Sequence, residues 1–128
     1  MSPIISIAPN VSIRGIRPET LLAIWVAATI IMDEGFEAVV TSGVEGTHGT
    51  GSFHYLGLGV DLRTKHIPIG RRAFIRDRIA RALGSEYDVL LENAPAHLHI
   101  EYQPKGPLNK LVRAIKKKLL KKRHVKKV

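Results

Sequence analysis

The rhythm of apolar and polar positions changes several times along the chain, and each rhythm predicts an element. Residues 11 to 17 (VSIRGIR) alternate with period two, as a short half-buried or edge strand does. Pro18, Glu19 and Thr20 then supply a helix start with an acidic first turn. Leu21, Leu22, Ile24, Trp25, Ala28, Ile31 and Met32 follow at three- and four-residue spacing, and Gly35 stands where a left-handed C-cap belongs. This stretch is expected to be the main core helix. Residues 36 to 41 (FEAVVT) suit a strand, and SGVEGTHGTGS, with four glycines in 11 residues, predicts a loop. Loops of this kind commonly carry function.

Residues 58 to 63 (LGVDLR) alternate again. Helical spacing returns from Ile69 to Leu83 and stops at Gly84, with Arg71, Arg72, Arg76, Arg78 and Arg81 on its polar side. YDVLLE (87 to 92) and HLHIEY (97 to 102) read as two strands of a hairpin. The four-residue connection Asn93 to Ala96 carries no tight-turn signature. Together these elements predict an α+β fold, a small antiparallel sheet with packed helices.

Composition narrows the class. With 128 residues, 45% of them apolar and 24% charged, the chain has room for one core and lacks the polar excess of a disordered protein. It has no cysteine, which excludes disulfide frameworks, thiolate nucleophiles and sulfur-ligated metals. The longest apolar run, Leu21 to Met32, has 12 residues. A membrane-spanning helix needs roughly 18 to 20, and no cleavable signal pattern precedes the run. The expectation is a soluble protein whose export depends on another factor.

The net charge of +9 is unevenly distributed. From Lys105 onward there are 11 Lys or Arg and no Asp or Glu. That leaves 9 of the 20 basic residues against all 11 acidic ones, a net of −2 over residues 1 to 104. The chain therefore divides into a near-neutral body, residues 1–104, and a basic tail, residues 105–128.

Potential metal ligands fall into three groups: His48 with His54, Asp61, and His97 with His99. On a strand His97, His99 and Glu101 share one face while Leu98, Ile100 and Tyr102 share the other. The same alternation puts Asp61 with Gly57 and Gly59, opposite Leu58, Val60 and Leu62, and bare glycines leave room for a ligand beside the carboxylate. Two imidazoles and a carboxylate would leave zinc a fourth position for water, the pattern of a catalytic site. The competing expectation is a set of surface histidines on a sheet edge, with Asp61 paired to an arginine.

The stretch Ser52-Phe-His54-Tyr-Leu-Gly57-Leu-Gly59-Val-Asp61 follows S-x-H-x-x-G-x-[AG]-x-D, and His97-Leu-His99 supplies a later H-x-H. With the preceding Thr41-Ser42-Gly43, these residues resemble the zinc D-Ala-D-Ala carboxypeptidase and L-Ala-D-Glu peptidase family over about residues 36 to 104. That family shares its fold with the Hedgehog signalling domain. The resemblance implies a Hedgehog-like fold and His54, Asp61 and His99 as zinc ligands. It further implies that His97 stands beside the bound water, as the catalytic histidine or as one that only supports the metal ligands. Ser52 is expected at the substrate, and His48 is expected either to orient substrate in the glycine loop or to cap that loop. The implied activity is zinc-dependent hydrolysis of a peptide bond in the peptidoglycan stem, as in an endolysin of bacteriophage or bacterial origin.

Two positions depart from the family pattern. Glu45 occupies the neighbourhood in which many members place an arginine for a substrate carboxylate, and Ala96 stands where many place the general-base glutamate. If residues 93 to 96 close the hairpin, Glu92 lies opposite His97 and on its face. Glu92 is therefore the expected general base, with His97 stabilising the oxyanion. Glu101 is expected either to hydrogen-bond an imidazole and fix its tautomer or to form a cross-strand ion pair.

In the tail, apolar residues at 108, 111, 112, 115, 119 and 120 alternate with lysines at helical spacing. This basic amphipathic helix suits an anionic membrane or wall polymer, or else docks its stripe on the body. Nucleic acid is disfavoured because the tail has no aromatic residue for base stacking. A monomer is expected. The second functional reading is a catalytically inactive, zinc-containing peptidoglycan-binding module.

Overall fold

The computed structural model of the protein describes residues 4–44, 57–93, 96–105 and 111–119. Its elements in chain order are β1 (Ile5–Ile7), α1 (Pro18–Asp33), β2 (Ala38–Ser42), β3 (Gly59–Arg63), α2 (Ile69–Leu83), β4 (Tyr87–Asn93) and β5 (Ala96–Tyr102). A third helix, α3, covers 111–119. The strands form one five-stranded sheet in the order β1-β2-β3-β5-β4.

The fold is α+β, as the pattern predicts, but the sheet is mixed. β1 runs parallel to β2, with Ile5 beside Ala38 and Ile7 beside Val40, while the other neighbours are antiparallel. A parallel pair needs a crossover, which α1 supplies. β1 has only three residues, too few to show alternation. The strand expected over residues 11 to 17 is absent. There the backbone turns, with Gly15 at φ +82°, and its polar groups pair locally and with neighbouring loops: the amide of Ile16 donates to Ile13, and the carbonyl of Ser12 accepts from Val44.

α1 begins at Pro18, whose missing amide costs nothing at a helix start, and ends before Gly35 at φ +92°. Its buried side is built from Thr20, Ala23, Ile24, Ala27, Ala28 and Ile31, each at most 6% exposed. The sequence reading put Leu21, Leu22 and Trp25 in the core, yet they are 48%, 56% and 50% exposed. Because α1 is apolar nearly all round, spacing alone could not choose its inner face. The alanine side lets the helix axis approach the sheet most closely, and that side is buried.

α1 and α2 are tied together by ion pairs. Arg78 donates to Asp33 at 2.9 Å and to Glu34 at 3.1 Å, and Arg71 pairs with Glu34. These arginines of α2 thus bind the end of α1. Below the two helices Val40, Val60, Leu62, Ile75, Ile79, Leu98 and Ile100 form the core, all at most 1% exposed. Successive strand residues point to opposite faces, so burying Val60, Leu62, Leu98 and Ile100 turns Asp61, His97, His99 and Glu101 to the other side.

α3 realises the helical spacing of the tail. Leu111, Val112 and Ile115 line a groove of about 270 Å³ shared with Leu58 and Tyr102. Those two body residues belong to the core-face alternation of β3 and β5, so the groove lies away from the polar face. Among the described residues no helix is long and apolar enough to cross a membrane.

Candidate metal centre

Three strands assemble the polar face. β5 lies between β3 and β4, with Asp61 directly opposite His99 on one side and Glu92 directly opposite His97 on the other. The ladder runs on to Asn93 opposite Ala96, so only two residues separate the strands, fewer than the expected four. The register therefore carries Glu92 to the position inferred from the hairpin.

The side chains form a row of alternating acids and imidazoles. His97 Nε2 is 3.0 Å from Glu92 Oε1 and 3.8 Å from Asp61 Oδ2. His99 Nδ1 is 2.8 Å from Asp61 Oδ1, and its Nε2 is 2.7 Å from Glu101 Oε1. With a carboxylate at each nitrogen, His99 is held as a double donor. Burial alone would lower its pKa, but the hydrogen bonds to Asp61 and Glu101, and their charge, raise it to about 10. Asp61 thus meets two histidines, and Glu101 takes the imidazole contact.

Asp61, Glu92 and His97 can each offer a ligand atom within 4.8 Å of the other two, which makes them a group able to hold a metal ion. This set overlaps the expected His54, Asp61 and His99 only at Asp61. His99 approaches the same carboxylate from its other oxygen. His48, Ser52 and His54 lie outside the described residues. Nitrogen and carboxylate oxygen donors fit zinc, and equally manganese, cobalt or nickel, so the donor set does not specify the ion.

Gly57 has a role different from the open approach expected of it. It sits at φ +71°, and a Cβ there would lie 2.3 Å from the carbonyl oxygen of Gly15. Its own carbonyl accepts the Thr20 hydroxyl at 2.7 Å and the Arg17 amide at 3.0 Å. The first glycine after the motif histidine therefore locks the entry to β3 against the start of α1.

Arg63 was missed at the level of sequence. It lies two residues beyond Asp61 on the same face and is directly opposite His97. Its period-two spacing from Asp61 was the available signal. Comparison with protein-family models, curated proteins and solved structures found no match to this chain.

Proposed function

We propose that the protein is a zinc-dependent peptidase acting on the stem peptide of peptidoglycan. The observation that carries the reading is the convergence of Asp61, His97, His99 and Glu92, from three strands, on one face of the sheet. Their chemistry suits metal-assisted hydrolysis, and the family resemblance supplies the substrate class.

Under this reading Asp61 and His99, together with His54, would hold the ion. A bound zinc ion would acidify water and polarise a peptide carbonyl. Glu92 accepts a proton from the attacking water at Oε1 and returns it to the leaving amine. His97, which Glu92 orients, donates a hydrogen bond to the oxygen that gains charge. With the ion bound, Glu101 would accept from His99 Nε2–H and so leave Nδ1 as the donor atom. Arg63 binds a carboxylate of the substrate, the task for which the segment around Glu45 offers no cation.

The test is to incubate purified peptidoglycan with the protein and follow new amino groups, with and without a chelator. Chelator-sensitive release supports the peptidase. Stoichiometric zinc without release favours the binding module, a reading that rests on Ala96 at the usual position of the base.

A further inference from the structure

We propose that α3 and the exposed start of α1 together form a docking surface for an anionic lipid bilayer. At about 100° per residue, Leu111, Ile115, Leu119 and Val112 fall within an arc about 100° wide. Lys118 and Lys116 flank that arc, and Arg113 and Lys117 lie beyond it. Cations at the edges of an apolar stripe can reach headgroups while the stripe enters the acyl boundary.

The contact of α3 with the body leaves the stripe available. Leu111 is 57% and Ile115 41% exposed, although both line the groove shared with Leu58 and Tyr102. Side chains packed into a core would be far less exposed. A second apolar surface adjoins it: Glu19 lines the same groove, and Leu22 follows it by one helical turn, with Leu21 and Trp25 also about half exposed. An indole exposed beside aliphatic side chains and a cationic helix is the combination favoured at a membrane interface.

Charge selects the occupant. The 11 Lys and Arg from Lys105 onward are matched by no Asp or Glu in the tail and stand beside a body of net charge −2. A second copy placed on this surface would bring a like-charged tail against it. A soluble polyanion would satisfy the lysines and leave Leu111, Ile115 and Trp25 in water. An anionic bilayer satisfies both. The surface lies away from the polar face of the sheet, so docking leaves the candidate centre open, and the inference does not depend on that centre being catalytic.

The full chain is mixed with vesicles of phosphatidylcholine alone or with phosphatidylglycerol, and sedimentation is read together with the emission of Trp25, the single tryptophan. Expected are association with the anionic vesicles only, weakening in high salt, and a blue shift of Trp25. The double variant Leu111→Asp/Ile115→Asp loses at least about tenfold in vesicle binding. Trp25→Ala loses several-fold, with helix content unchanged by circular dichroism. The proposal is overturned by equal association with neutral vesicles, by an unshifted Trp25, or by wild-type binding of the double variant. A blue shift that follows protein concentration without vesicles would instead assign the surface to self-association.

Discussion

Asp61 on β3 and His99 on β5 face each other across the ladder, Oδ1 to Nδ1 at 2.8 Å, while Glu101 holds the far nitrogen of the same ring at 2.7 Å. The ring is thereby kept protonated, with a pKa raised from 6.5 to about 10. The folded state binds this proton more tightly than the unfolded one. Its contribution to stability is complete below about pH 6.5, declines as pH rises, and is lost on passing about 10. In chelator-treated protein, the stability difference between wild type and His99→Gln in urea melts should shrink across that window. A difference constant with pH would mean that the ring is not held as a cation.

The same proton competes with a metal ion. Zinc uptake at pH 8 should release about one proton, read by calorimetry in buffers of different ionisation enthalpy, and affinity should rise with pH. Glu101→Gln should lower affinity by roughly 10- to 100-fold, because the ring loses the carboxylate charge that raises its basicity and fixes its orientation. Unaltered affinity would reduce Glu101 to a surface partner.

Glu92→Gln should suppress peptidoglycan hydrolysis by about 10²- to 10⁴-fold while zinc content is retained. The amide can still hydrogen-bond His97 but cannot take a proton. Should zinc affinity fall along with activity, Glu92 would be a ligand, a position its 4.8 Å grouping with Asp61 and His97 allows. An undiminished rate would move the base to His97.

Arg63→Ala should raise KM by roughly 10- to 100-fold for substrates with a free carboxylate, the range expected for a lost charge-assisted hydrogen bond, with kcat changed far less. Amidated substrates should show little change. Equal losses on both kinds would assign Arg63 to the architecture of β3.

Gly57→Ala should destabilise the fold by about 3 kcal/mol or more, since the methyl meets the Gly15 carbonyl at 2.3 Å in a left-handed backbone. The midpoint of denaturant unfolding reads this directly. A cost below about 1 kcal/mol would show that residues 15–17 yield readily.

Sequence alone determined what depends on neighbours along the chain. Helix starts and stops at Pro18, Gly35 and Gly84, the period-two split of LGVDLR and HLHIEY, and the opposition of Glu92 to His97 are local consequences of backbone geometry. Tertiary structure decided what depends on competition between distant surfaces. α1 could have buried Leu21, Leu22 and Trp25, but its alanines come closer to the sheet, so the bulkier residues face outward. β1 exists because β2 offers it an edge, and the partners of His99 follow from β3 and β5 packing side by side. Periodicity records which residues share a face; only close packing between elements selects which face is hidden and which groups from separate strands meet.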